Sequence, residues 1–155
     1  MASIQEMINK LNKVKANDLL DDSVMATKDS LLGHNRLQLL FGKATDGSIL
    51  GKYSSDEYSN FKAKYVASYH ALYGVYNFEL RGGFQDAMYV RPLLTSYEIS
   101  SYDEKTEYLE SLAGYGNRKL GGERTFGLSK EDLVEYAQTN VKPELQKRLR
   151  LTLNI

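Results

Sequence analysis

Cysteine is absent from the 155 residues. Its absence excludes disulfides, thiolate metal sites and cysteine nucleophiles, and nothing points to folding in an oxidising compartment. Long apolar runs are missing too. No stretch approaches the ~20 apolar residues of a membrane span, and the opening MASIQEMINKLNKVKAND lacks an apolar core of the length a signal peptide needs. A soluble protein made in a cytosol, with no membrane contact, is expected. Histidine is scarce: His34 and His70 stand far apart, each without a second ligand-type residue at metal spacing. A surface or packing role is expected for both, and no metal or cofactor is expected. A nucleophilic triad would need one of them as base, and no G-x-S-x-G elbow exists, so acyl transfer is not expected. Net charge is missing as well, twenty basic residues balancing twenty acidic ones, which argues against a dominant nucleic-acid surface.

What is present suits an ordinary globular chain. The composition is 42% hydrophobic and 26% charged, well outside the regime of disorder. A domain of about 150 residues buries roughly 70% of its unfolded surface, so one core suffices. A single domain over 1–155 is expected, with an N-terminal helical region at 1–36 and an α+β body at 37–155. The charge balance hides a gradient. Tyr53 to Asn117 holds nine acids against five bases, whereas the tail carries Lys142, Lys147, Arg148 and Arg150 against Glu144 alone. Head-to-tail contact between copies would use such a gradient, and a solvated helix face gives the same pattern.

Ile4, Ile8, Leu11 and Val14 recur at helical spacing, and Leu20, Val24, Thr27 and Leu31 continue it beyond Asn17-Asp18, which is placed to cap a second helix. Two N-terminal helices, or one long bent one, are expected. Leu37 to Phe41 is a short apolar run. GKATDGSILGKYSS then reads as a loop around the Asp46-Gly47 turn. Ser54 and Glu57 form a capping-box pattern, predicting a helix from Ser55 whose Tyr58, Phe61, Tyr65 and Tyr69 face the sheet. From Val75 the period shortens: VYNFEL, AMYVRPLL and SYEIS predict two or three antiparallel strands. Asp103 is placed to cap a helix carrying Tyr108, Leu109 and Leu112, and Gly114 to Gly127 reads as a glycine-rich loop. Ser129 caps a last helix with Leu133, Ala137 and Val141. Pro143 either kinks it or opens a fresh helix bearing Leu145 and Leu149. The fold class is α+β, helices packed on a small antiparallel sheet.

Motifs with chemistry are few. GSILGKYS imitates a phosphate loop, but three residues separate Gly47 from Gly51-Lys52 where that motif has four, and Tyr53 replaces the metal-binding hydroxyl. A turn is the better reading. Carboxylates at Asp21-Asp22, Asp103-Glu104-Glu107 and Glu131-Asp132-Glu135 fall in first turns or on exposed helix faces, where the helix dipole favours acids. The single RGGF at Arg81 to Phe84 lies between predicted strands, unlike the repeated boxes of RNA-binding tracts. Eleven of twelve tyrosines fall between Tyr53 and Tyr115, suiting either core packing or a protein interface.

The succession FGKATDGSILGKYSSDEYSNFKAKY, NFELRGGFQDAMYV, EISSYDEKTEYLESLAGYG and RTFGLSKEDLVEYAQTNVKPEL resembles small virion proteins of tailed phages, particularly those infecting Bacteroides and their relatives. The likeness runs over roughly Leu37 to Leu149. It is carried by Gly42, Asp46, Gly47, Gly51, Tyr53, Ser54, Tyr58 and Lys62, then Leu80, Gly82 and Phe84, then Lys105, Tyr115 and Gly116, and finally Phe126, Gly127, Leu128 and Pro143. Arg81-Gly82-Gly83 departs from the Thr-Gly-Asp of that pattern, and a tyrosine-rich stretch from Tyr69 to Tyr76 replaces a proline-containing loop.

The resemblance implies a non-enzymatic α+β subunit of a ring in the neck or tail, between portal and tail. Its partners would be other copies and portal, neck or tail proteins, and DNA would pass through the ring without specific recognition. Such a protein is assembled in the host bacterial cytoplasm and resides in the virion. Interface candidates are Lys142, Lys147, Arg148 and Arg150 in the tail, together with Asp46, Gly47, Tyr53, Arg81 and Phe84. A small phage-encoded or bacterial enzyme or host-modulating factor is the alternative, and a nucleic-acid-binding module the next.

Overall fold

A computed structural model describes residues 4–65, 73–78, 83–94, 96–108 and 125–153. The chain is α+β, with helices packed on a small antiparallel sheet. In chain order these are α1 (Ile4–Leu11), α2 (Ala16–Ala26), α3 (Lys28–Leu40), α4 (Asp56–Tyr65), the single turn α5 (Gly83–Asp86), strands β1 (Met88–Pro92) and β2 (Tyr97–Ser101), α6 (Lys130–Tyr136), a π-helical segment (Ala137–Val141) and α7 (Lys142–Leu153). No helix among the described residues is long and apolar enough to cross a membrane. The chain forms two compact units, one of Met1–Leu31 with Val134–Ile155 and one of Leu32–Leu133.

In the first unit α2 and α1 pack against α7, and α2 also meets the π-helical segment. Val24, Leu31, Tyr136, Val141 and Leu153 are buried there. The N-terminal region makes three helices where two were expected. Asn17 and Asp18 lie inside the first turn of α2 and do not cap it, the cap position falling on Lys15 without a side-chain bond. The extra break comes at Thr27, whose hydroxyl donates back to the Ser23 carbonyl at 2.9 Å while its N–H is shared between the Ser23 and Val24 carbonyls. Such back-bonding offers the backbone an alternative to continuing the helix.

Pro143 explains the π-helical segment. It sits in the first turn of α7 and has no N–H to give to the carbonyl four residues earlier. The backbone widens instead, and the Lys142 N–H reaches the Ala137 carbonyl, five residues back.

The second unit holds the sheet and the larger core. α3 takes in Leu37–Leu40 of the apolar run and closes in a Schellman arrangement. Gly42 takes φ 68°, its N–H bonds the Leu39 carbonyl at 2.8 Å, and the Lys43 N–H reaches the Gln38 carbonyl at 3.0 Å. The following loop is tightly turned: Ala44 N–H donates to Ser48 O at 2.7 Å, and Leu50 N–H to Gly42 O at 2.8 Å. Expected strand VYNFEL makes only an isolated bridge, Val75 to Lys52, over its described residues. β1 and β2 pair antiparallel with Val90 opposite Ile99 and Arg91 opposite Glu98. Val90 and Ile99 turn inward onto a core of Leu32, Leu39, Leu50, Tyr76, Phe78 and Met88.

Polar side chains of α3 hold the start of α6 in place. Asn35 Nδ2 donates to the Gly127 carbonyl at 2.8 Å and Gln38 Nε2 to the same oxygen at 3.1 Å, while Ser129 N–H donates to Gln38 Oε1 at 2.7 Å. Ser129 caps α6 as expected. Its Oγ accepts from the Asp132 N–H at 3.2 Å and donates to the Asp132 carboxylate at 2.7 Å.

Candidate protein-interaction surface

The cap of α4 is Ser55, one residue later than the Ser54 expected, its Oγ accepting from the Tyr58 N–H at 3.2 Å. The helix faces differently from expectation as well. Ser59 and Lys62 are the buried positions, Lys62 only 1% exposed, whereas Tyr58, Tyr65 and Phe61, the last 42% exposed, face outward. On the buried side Gly74, at φ 79°, lies beside Ser59, and a Cβ there would stand in ordinary contact 3.5 Å from the Ser59 hydroxyl. Tyr69 lies outside the described residues.

The outward rings form a row. Tyr58 and Phe61 stack with centroids 6.0 Å apart and Phe61 and Tyr65 lie at 5.5 Å, while Tyr53 meets Tyr58 edge-on at 4.8 Å. Lys64 Nζ sits over the Tyr65 ring at 5.1 Å, and the exposed Tyr73 donates its hydroxyl to Asn60 at 3.0 Å. Partial burial, and then the neighbouring Tyr108 phenol, push the Tyr58 phenol above its ordinary value of 10.0. Beyond the sheet Tyr102 stacks on Tyr89 at 4.2 Å and remains 79% exposed. At the hairpin tip Leu94 is fully exposed.

Asp46 and Gly47 form an exposed turn in which Asp46 Oδ1 accepts from the Ser48 N–H at 2.9 Å. The N–H groups of Gly47, Ser48 and Leu50 all go to acceptors within this loop. Tyr53 is half-buried between Tyr58 and Tyr76. Phe84 is not an interface residue of this surface: at 5% exposure it belongs to the core, against Phe78 and Phe126, each at 5.7 Å. Gly83 opens the helical turn α5, on which Phe84 and Gln85 are the buried positions. Arg81 and His70 lie outside the described residues, as does most of the expected loop from Gly114 to Gly127.

In the tail, Lys142 and Arg150 are exposed. Lys147 and Arg148 converge on Glu144, at 3.3 Å and 2.9 Å, and Arg148 also reaches Asp22 at 3.4 Å. Arg148 therefore works within its own unit, and the surface charge of α7 is smaller than its composition suggests.

A groove of about 380 Å³ in the first unit escaped the sequence reading. It is predominantly apolar and is lined by Val14 and Leu19 with Lys10, Lys13, Lys15 and Asp18. The clustering of three lysines between α1 and α2 was its one visible signal.

Comparison of the chain with protein-family models, with curated proteins and with solved structures finds no match.

Proposed function

We propose that the chain is a structural subunit of a tailed-phage particle, forming part of a ring in the neck or tail and acting through protein–protein assembly. The observation that carries this reading is the outward row of Tyr58, Phe61 and Tyr65 on α4. A helix that turns its aromatic side to solvent and its serine and lysine inward is costly for an isolated molecule. Contiguous apolar surface of this kind marks interaction sites, and tyrosine is enriched in them because its ring is large, rigid and amphipathic. The order of glycine-led motifs from Gly42 to Pro143 supports the virion assignment. The exposed Lys142 and Arg150 of α7 supply rim charges that set register between subunits.

The test is genetic and structural. A phage carrying this gene should yield, on its deletion, filled heads and separate tails that fail to join, and antibody to the chain should label the neck or tail of wild-type particles. Infectious particles of normal shape that lack the protein would overturn the reading.

A further inference from the structure

The outward row on α4 carries a spacing and a charge pattern that define a partner. Tyr58, Phe61 and Tyr65 recur at intervals of three and four residues, the seam of a two-helix pairing. Glu57 and Lys64 stand one residue before the first and last of these rings, so both lie on the same flank of the seam. Both are exposed. Neither forms an ion pair among the described residues. Lys64 lies over the neutral ring of Tyr65 at 5.1 Å, a contact that leaves its charge in place. The opposite flank of α4 is closed, since Ser59 and Lys62 are buried inside the unit.

This face complements itself in one orientation. When two copies of α4 lie antiparallel, equivalent flanks face each other, and Glu57 of each copy meets Lys64 of the other. Phe61, between the two charges in sequence, then falls beside the two-fold axis, and Tyr58 of each copy packs toward Tyr65 of the other. A parallel pairing would instead turn Glu57 toward Lys62 of the second copy, which is 1% exposed. A partner of one charge sign would attract one end of the row and repel the other.

We infer that α4 of one copy packs antiparallel on α4 of a second, with three rings from each in the seam and two Glu57–Lys64 pairs at the rim. This rests on the assembly reading above and names the partner of that surface as the chain itself. Phe61 is 42% and Tyr65 65% exposed. Rings of about 150–250 Å² at such exposure leave roughly 100 Å² each to bury, about 600 Å² over both copies, against the roughly 1,000 Å² of a stable interface. The dimer is therefore weak. An isologous contact closes on two copies, so it is the form of the free subunit, and entry into a ring exchanges it for a neighbour's surface.

Sedimentation of the full chain against concentration, at low and high salt, tests this with F61A, E57K, K64E and the swapped E57K/K64E. Wild type should form a dimer, and F61A should weaken it about tenfold by emptying the seam. E57K and K64E should each weaken it about tenfold at low salt and less at high salt, because like charges then meet at both rims. E57K/K64E should recover the wild-type dimer, since reversing both ends restores opposite charges across the axis, although each then opposes its own helix dipole. A wild-type chain that stays monomeric at every concentration overturns the inference. So does a double variant that dimerises no better than the single ones, or a dimer that both single reversals leave intact. Oligomers larger than a dimer that F61A abolishes would make the row a propagating contact and overturn it as well. A deletion that leaves heads and tails unjoined is independent of all these outcomes, so the virion role and this contact stand or fall separately.

Discussion

The Tyr136 hydroxyl and Thr27 Oγ1 lie 2.8 Å apart, joining side chains 109 positions distant in sequence. Thr27 is the residue at which α2 gives way to α3, and Tyr136, 3% exposed, ends α6. The bond therefore ties the helix break to the first unit's interior. Replacing Tyr136 by Phe keeps the ring and deletes the hydroxyl, leaving Thr27 with its backbone acceptors. The cost should be about 1 kcal/mol, read by urea unfolding. A cost near zero would mean that water replaces the phenol without loss.

The same phenol sets an alkaline limit. Burial pushes Tyr136 above its ordinary value of 10.0, and the bond from Thr27 acts in the opposite direction but less strongly. Only the neutral form is at home in the fold, so its contribution is complete below the ordinary tyrosine value and is lost as pH rises through the folded-state value. Stability should be flat in this respect through neutral pH and fall above about pH 10. Y136F should lose less stability than wild type over that interval. Equal alkaline slopes would assign the fall to other groups.

Phe61 and Phe84 reverse the roles their positions in sequence suggest. Phe61 to Ala removes an exposed ring and should cost about 1 kcal/mol, mostly its contacts with Tyr58 and Tyr65. Phe84 to Ala empties a core position and should cost about 3–5 kcal/mol. Thermal unfolding of both variants checks the order, and a larger loss for Phe61 would return α4 to the inward-facing arrangement.

These two residues also mark where sequence stops being legible. Ser129 and Pro143 could be read directly, because a cap and a missing N–H act within one helical turn. The hairpin could be read from the aromatic and branched residues of Met88 to Pro92 and Tyr97 to Ser101. The spacing of Tyr58, Phe61 and Tyr65 correctly identifies one face of a helix, but periodicity is silent on whether that face meets core or solvent. The backbone at Gly74 lies on the Ser59 side of α4, and that approach is tertiary. Whereas the break at Thr27 is local back-bonding that hydrophobic period does not reveal, the groove at Lys10–Leu19 is likewise closed from a distance, by Thr152 of α7. The Asp22 partner of Arg148 is remote in the chain and is invisible to sequence for the same reason.

Gly127 sits at φ 124°, and a Cβ there would stand 3.3 Å from Thr45 Cγ2. Its carbonyl also receives the Asn35 and Gln38 amides. G127A should therefore cost about 1–3 kcal/mol through backbone strain. Adding T45S removes the offending methyl but not the strain, so it should recover only part of the loss. Complete recovery in the double variant would show that crowding alone forbids a side chain at this position.

The α7 charges divide into structural and surface sets, and reversal separates them. Arg148 is half-buried between Glu144 and Asp22, so R148E would face two carboxylates in place of two ion pairs. Its stability loss should be about 1–3 kcal/mol, shrinking as salt screens the repulsion. Lys142 and Arg150 are exposed, and K142E/R150E should remain within about 0.5 kcal/mol of wild type. Any defect of this double variant in particle assembly then belongs to the interface and not to the fold. Incorporation of K142E/R150E at wild-type levels, at low and high salt alike, would leave α7 a solvated face whose basic residues serve the first unit alone.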